Sequence, residues 1–490
     1  MQFFRLGLLL VVVCSTMADG AEDRPGGDAA RAAMRRAVDF FRTRCSAHGG
    51  YVYRVSSDGR YREGEEAVGP DTAWIEPPGT PAVGRAYLDA WRLTRDEFLL
   101  QAARETAQAL LQGQLTSGGW SNEIEFAPEE RAKHAYRVDH HPGNDVGRLR
   151  RSTTFDDDKS QSAARFLMEL DEALKFQDAE LHEASRFALD AFVEAQYPNG
   201  AWPQQFVGQH QSNASTSQVV SAAQAANYPA EWPREFPAVK YSMLYTLNDG
   251  LMSDMLALMF DAADVYQEDR YRQAAIRGAD FLLLAQMPDP QPGWAQQYNE
   301  SMHPAWARKF EPPALSGSES QGVMRTLMEA YLRTGDPRYI ATLPKAIDYY
   351  RKSLLDDGQL ARFYELRTNR PLYFTREYRL TYDDSDLPTH YAFVVGSGLD
   401  AIARQLDEVR AASVPVARTE PGRRPPHLSS KLAETATTLI ETLDEPRAWV
   451  ERARMKAASQ SGEIDVIDSK TFARNLVRLA EYVAAVENSR

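Results

Sequence analysis

The feature that most constrains this chain is an internal repeat. Three segments share one layout: a helix with apolar periodicity, a turn carrying aspartate, a second helix, a glutamine, and a glycine-containing loop ending on tryptophan. The first runs from Ala82–Trp91 through Asp96 and Leu110 to Gln114 and Gly118-Gly119-Trp120. The second runs from Ala163–Leu174 through Asp178 to Gln196 and Asn199-Gly200-Ala201-Trp202. The third runs from Leu256–Val265 through Asp269 to Gln286 and Gly293-Trp294. The turn aspartates lie 82 and 91 residues apart, and the tryptophans 82 and 92. A weaker fourth copy follows from Gln321 to Gly358, with Asp336 in its turn. Apolar residues such as Ala163, Phe166, Leu167, Leu170 and Leu174 recur at three and four, the period of a helix. One amphipathic helix pair cannot bury its own apolar stripe, and stacked pairs can. The expected fold is all-α: an α/α toroid, or incomplete α/α barrel, with short β segments in loops. The best of those segments are Tyr51–Val55 and Pro371–Phe374.

The repeat reinterprets the length. The 490 residues would ordinarily imply about three domains, but here they form one large toroid over residues 21–411. Residues 412–429 read as a Pro-rich linker and residues 430–490 as a peripheral helical tail. At the other end, Arg5, the apolar run Leu6–Val13 and the small residues Ser15, Ala18 and Gly20 read as a signal peptide over residues 1–20. No later stretch is apolar for the length of a membrane span. The chain is therefore expected to be secreted or periplasmic, and monomeric. Its two cysteines are Cys14 and Cys45, so removal of the leader leaves no partner for a disulfide. Lys and Arg total 56 against 69 Asp and Glu, a formal charge of −13. That sign argues against a nucleic-acid partner and requires that any other polyanion be met by a local basic site or a metal ion.

Two acidic turns stand at equivalent points of adjacent repeats. Thr153-Thr154-Phe155-Asp156-Asp157-Asp158 precedes the helix near Ser160, and Thr246-Leu247-Asn248-Asp249 precedes the helix near Leu251. Phe155 and Leu247 are 92 residues apart, the spacing of Trp202 and Trp294. One aspartate at a helix start is ordinary capping, whereas three in a row repel one another. Together Asp156, Asp157, Asp158, Asn248 and Asp249 form an oxygen-only, carboxylate-rich set suited to Ca²⁺. A stiff, Pro-framed loop then places Arg308 and Lys309 on the same face. Trp120, Trp202 and Trp294, with Phe206 and Tyr298, are either core anchors or platforms for stacking pyranose rings. Arg376 and Arg379, before the acidic run Asp383–Asp386, belong to a later loop that can reach the cleft. His134, Asp139, His140 and His141 lack metal-ligand spacing.

Taken in order, Gly-Gly-Trp-Ser-Asn, Thr-Thr-Phe-Asp-Asp-Asp, Pro-Asn-Gly-Ala-Trp-Pro-Gln-Gln, Thr-Leu-Asn-Asp-Gly, Gly-Trp-Ala-Gln-Gln-Tyr and Ala-Arg-Lys-Phe-Glu-Pro-Pro-Ala resemble polysaccharide lyase family 10, the pectate (pectic acid) lyases. The resemblance covers roughly residues 70–370. It implies an α/α toroid that cleaves polygalacturonate by β-elimination with Ca²⁺ and an arginine base. Arg308 is then the proton abstractor, and Asp249 with Asp156–Asp158 the calcium and substrate carboxylates. Trp120, Asn122, Trp202, Trp294, Lys309, Arg376 and Arg379 are the expected substrate contacts, Arg376 and Arg379 pairing with substrate carboxylates. Residues 207–240 depart from the family pattern and look like an insertion over the cleft. The rival readings are an inverting glycoside hydrolase pairing Asp157 with Glu123 or Glu125, and a toroid that binds carbohydrate without catalysis.

Overall fold

The computed structural model describes residues 25–140, 150–208, 224–418, 426–443, 447–459 and 462–489. The expected signal peptide, His141 and residues 209–223 of the 207–240 insertion lie outside these residues. The helices are α1 (Gly27–Arg44), α2 (Thr80–Thr94), α3 (Glu97–Gly113), α4 (Pro128–Arg131), α5 (Lys159–Ala173), α6 (Ala179–Glu194) and α7 (Leu251–Tyr266). They continue as α8 (Asp269–Leu284), α9 (Glu319–Thr334), α10 (Arg338–Ala341), α11 (Leu343–Lys352), α12 (Leu399–Ala411), α13 (Ser430–Glu441) and α14 (Ser469–Asn488). None of the described helices is long and apolar enough to cross a membrane.

An inner row packs side by side in the order α14, α2, α5, α7, α9, α12. An outer row of α1, α3, α6, α8 and α10 backs it. This is the incomplete α/α toroid expected from the repeat. The turn aspartates start the outer helices: Asp96 accepts a hydrogen bond from Phe98 N (3.2 Å), and Asp178 one from Leu181 N (3.2 Å). In the third repeat Asp269 is itself the first helical residue. The inner helices α5, α7 and α9 are each preceded by a short strand that pairs antiparallel with the strand after the next repeat's loop. Thr153–Thr154 joins Gln205–Phe206, Tyr245–Thr246 joins Gln297–Tyr298, and Ala314–Ser316 joins Phe363–Glu365. The Trp loops and these strands therefore gather at the N-terminal ends of the inner helices.

The C-terminal segment corrects the sequence expectation. Residues 430–490 do not form a peripheral tail, because α14 lies between α1 and α2 as the inner member of the first helix pair. Phe472 of α14 stacks on Phe41 of α1 with ring centroids 3.7 Å apart. The strand Glu463–Asp468 pairs with Arg54–Ser56. The apolar face of α1, with Met34, Val38 and Phe41 buried, has its partner more than 400 residues away in sequence.

The linker is also partly structural. Val416 N donates to Leu332 O (2.6 Å) at the C-terminal end of α9, and Arg418 bonds Glu172 (2.8 Å) at the end of α5. Residues 412–418 thus cross the rim opposite the Trp loops. Between the two rims the inner helices carry partly buried ion pairs instead of a purely apolar core. Examples are Arg92 with Glu169 (3.2 Å) and Arg333 with Asp261 (3.0 Å) and Asp264 (2.7 Å). A buried charge is tolerated when it is paired in this way.

Candidate active site

The tryptophans reveal how each repeat is closed. Trp120, Trp202 and Trp294 are fully buried. Their indole N–H groups donate to the carbonyls of Leu110 (2.9 Å), Phe192 (2.7 Å) and Leu282 (2.7 Å) in the preceding outer helix. They are core anchors, so the expectation that they contact substrate is corrected: an indole saturated from within and sealed from solvent offers no face for a sugar. Gln114 and Gln196 complete the closure by donating to their own loop and to the next outer helix, at Ala184 O and Ala274 O (both 2.9 Å). Gly200 needs φ +95°, and a Cβ there would collide with the Arg277 carbonyl.

Above these anchors, two copies of one backbone turn lie side by side. Asp157 (φ 48°) and Asp158 (φ 55°) occupy the left-handed region, and so do Asp249 (φ 51°) and Gly250 (φ 75°). Positive φ is unfavourable for residues other than glycine, and its recurrence at equivalent points fits strain held at a functional site. The turns bring carboxylate oxygens of Asp156, Asp157 and Asp249 within 4.8 Å of one another. The cluster bears the marks of mutual repulsion. Burial and the charges of Asp157, Asp156 and Glu319 push Asp249 up to about 7, against the opposing pull of Arg308. Burial and Asp157 likewise raise Asp156, although Gln204 donates to it at 2.8 Å. Three crowded oxygen donors whose charges are held apart only at a cost fit a hard cation such as Ca²⁺. Among the described residues no histidine or cysteine joins this group.

The other two expected metal ligands face elsewhere. Asp158 points into the barrel, where burial lifts it to about 6 against the opposing charges of Arg165 and Arg85. The left-handed turn that aims Asp157 at the rim sends its neighbour the opposite way. Asn248 is buried, donates to Asp249, and accepts from Gln296 (2.7 Å); it orients Asp249. A second acidic group, Glu65, Glu76 and Asp157, already holds a cation, because the Lys159 ammonium sits 2.7 Å from Glu76 and 3.3 Å from Asp157.

Arg308 faces the carboxylates from the third repeat. The buried Glu311 fixes it in a tight turn, taking the Arg308 backbone N–H at 3.0 Å and its guanidinium at 2.5 Å. Gln296 joins the two halves of the site, donating to both Asn248 (2.7 Å) and Glu311 (2.8 Å). Burial works against the charge on Arg308, but the hydrogen bond and charge of Glu311 outweigh it and hold the guanidinium firmly protonated. Tyr391 also donates to Glu311 (3.1 Å), and both Arg308 (5.5 Å) and Arg362 (4.7 Å) lie near its ring. Tyr241 lies in the same electrostatic field as Arg308, Glu311, Asp156 and Asp249, with its phenol raised by burial.

The expected second arginines are displaced from this cluster. Arg376 is exposed and pairs with Asp386 (3.3 Å), and Arg379 pairs with Glu377. Arg362 takes the place beside Tyr391, bonded to buried Glu319 (3.4 Å). Lys309 packs over the Tyr378 ring (3.7 Å). Asn122 is an exposed residue whose carbonyl accepts from Ile75 N (2.9 Å). Of the rival acid–base candidates, Glu123 is held by Arg150 (3.1 Å) and Glu125 by Thr72 (2.9 Å). Gln204, Gln296, Glu311, Arg362 and Tyr391 were not among the expected site residues. The glutamines carried a signal, since both sit two residues after a repeat tryptophan, 92 apart.

Fold and site together define an α/α-toroid enzyme with a carboxylate cluster facing a tethered arginine at one rim. The profile of the pectic acid lyase family matches residues 114–359, half of the chain. The chain belongs to the pectic acid lyase family and is by class a pectate lyase. Solved structures similar to it include a family 10 polysaccharide lyase from Cellvibrio cellulosa. A mutant of that lyase in complex with trigalaturonic acid is 21% identical over 67% of this chain and 98% of that one, with TM-score 0.46. Another structure of the lyase is 21% identical over 68% and 96%, with TM-score 0.45. A GH76 α-mannanase from Bacteroides thetaiotaomicron is 8% identical over 94% and 96%, with TM-score 0.40. No curated protein sequence matches the chain.

Proposed function

We propose that this chain is an exported, monomeric lyase that cleaves polygalacturonate by β-elimination, leaving a 4,5-unsaturated sugar on the new non-reducing end. The observation that carries the reading is the convergence of Asp156, Asp157 and Asp249 on one side of the cleft with Arg308 on the other. In this reading Asp156, Asp157 and Asp249 hold Ca²⁺. Bound there, the ion supplies positive charge beside the substrate carboxylate, which acidifies the neighbouring C5–H. Arg362, which also lies over the Tyr391 ring, pairs with a further uronate carboxylate.

Arg308 takes the C5 proton onto its guanidine nitrogen. The electron pair released from C5–H forms the C4–C5 double bond, and the C4–O4 bond breaks with its pair on the glycosidic oxygen. Only the neutral guanidine can accept that proton, and Glu311 favours the charged form. The base form therefore grows with pH, and the rate is expected to rise into the alkaline range. Glu311 is nonetheless required, because it fixes where the guanidine points.

The test is Arg308→Ala assayed on polygalacturonate by absorbance of the unsaturated product. We expect activity to fall by about 10²–10⁴-fold, the range for loss of a positioned base, while Ca²⁺ binding persists. Retained activity defeats the assignment. Reducing ends without absorbance would instead indicate a hydrolase, and binding with neither signal a non-catalytic toroid.

A further inference from the structure

A second cavity, of about 610 Å³, opens beside the Arg308 loop, and its lining includes Arg234, Phe236, Trp306, Lys309, Tyr378 and Arg379. The described half of the insertion builds one wall. Its Pro233 carbonyl accepts from the Trp306 indole (3.0 Å), and its Phe236 ring packs on Trp306 with centroids 5.7 Å apart. Arg234 is locked onto buried Glu365 and lies over the Trp232 ring (4.1 Å). The facing wall comes from the loop after Pro371–Phe374, which supplies Tyr378, Arg379 and Tyr382.

Two properties of this cavity bear on what enters it. Phe236 and Tyr382 are 37% and 41% exposed, among the few large apolar or aromatic side chains left open to solvent in the described residues. Exposed rings in a concave wall are surfaces on which the C–H face of a sugar packs. The charge is also one-sided. Three cations line the cavity against the single carboxylate of Glu235. Arg234 and Arg379 have carboxylate partners, but Lys309 rests on the Tyr378 ring with no ion-pair partner among the described residues. An ammonium held over an aromatic face stays available for an incoming anion.

A row of side-chain contacts runs from the site to the cavity wall. The Arg308 guanidinium lies 5.1 Å from the Phe310 ring, Phe310 stacks on Tyr378 (5.5 Å), and Tyr378 carries Lys309. We propose that this cavity is a distal subsite for a further uronate residue of the substrate chain, stacked on the Phe236 side and paired through its carboxylate with Lys309. The proposal rests on the reading of the substrate given above and deepens it. The insertion then confers a preference for longer acidic chains, because only those reach past Tyr378.

The test compares Lys309→Ala and Phe236→Ala with the parent chain on trimers and hexamers of galacturonate. We expect KM for the hexamer to rise about tenfold, as for loss of one good contact, with kcat held and the trimer unaffected. Lys309→Arg should restore the hexamer preference. Equal changes for both lengths, or no change for either, overturn the subsite. Calorimetry on Arg308→Ala with saturated hexagalacturonate, trigalacturonate and neutral cellohexaose separates this result from the lyase reading. If polygalacturonate is not cleaved by elimination, tighter binding of the galacturonate hexamer than of the trimer, lost in the Lys309→Ala double variant, still supports the subsite. Equal affinity for hexamer and trimer, or for charged and neutral hexamers, rejects it even where elimination is observed.

Discussion

The two acidic turns at the rim are copies of one structure put to two uses. Both carry a phenylalanine or leucine anchor, Phe155 or Leu247, and both twist through consecutive positive φ angles. Each receives a hydrogen bond from the glutamine two residues after the neighbouring repeat tryptophan, Gln204 to Asp156 and Gln296 to Asn248. The substitutions within that frame make the difference. Where the first copy has Asp156, the second has Asn248, so one turn offers two carboxylates to the cluster and the other offers one. In the second copy Gln296 also donates to Glu311, which links that turn to Arg308. Where the first copy has Asp158, the second has Gly250, and the extra carboxyl turns inward to the barrel. The repeat gives two equivalent turns, and single residues divide them into a carboxylate side and an arginine side.

Removing charge from either turn has the largest expected effect. Asp157→Asn and Asp249→Asn should each weaken Ca²⁺ binding and lower activity by about 10²-fold, in line with loss of a metal ligand or its close support. Calcium titration followed by product absorbance reads both, and chelation with EDTA should abolish the parent activity reversibly. Equal, small effects would show that the cluster holds no ion.

Next comes the arginine side. Glu311→Gln should lower kcat by about tenfold to a hundredfold through loss of guanidinium positioning, and also shift the pH–rate profile toward lower pH. The shift follows because Glu311 is the main group holding Arg308 protonated. A fall in kcat with an unmoved profile would leave Glu311 a scaffold only.

The third prediction concerns stability. Asp249 titrates at about 7 in the folded chain, above the ordinary carboxylate value near 4. Between those values the native state holds more protons than the unfolded state, so without metal its contribution to stability falls as pH rises from about 4 through 7. Asp249→Asn should therefore raise the metal-free melting temperature at pH 8, by roughly 2 °C or more, with little effect at pH 4. Added Ca²⁺ should stabilise the parent at pH 8 and not the variant. The smallest effect belongs to Asp158→Asn, which should leave Ca²⁺ affinity within about twofold, since that side chain faces Arg85 and Arg165.

Much of this was legible in the chain. The 82- and 92-residue spacings declared stacked helix pairs, and the same spacing located both acidic turns; the two site glutamines share it but were not singled out. It could not say which way a side chain points. Asp157 and Asp158 are adjacent, yet one faces the rim and the other the barrel, because the left-handed turn separates them. The tryptophans were found at their positions, but their burial depends on the outer helix behind each loop. Arg362 was passed over for Arg376 and Arg379, since only the strand pairing of Phe363–Glu365 with Ala314–Ser316 carries its neighbourhood to the rim.

The sequence by itself determined the helix pairs, the turn chemistry and the set of acidic and basic residues from which the site is drawn. Those depend on local period, capping and repetition, which a chain records residue by residue. The tertiary structure alone decided that α14 completes the first pair, that residues 412–418 cross the far rim, and that Gln296 and Glu311 connect the two halves of the site. Such contacts join residues tens to hundreds of positions apart, where no local preference marks a partner and only the closing of the ring selects it.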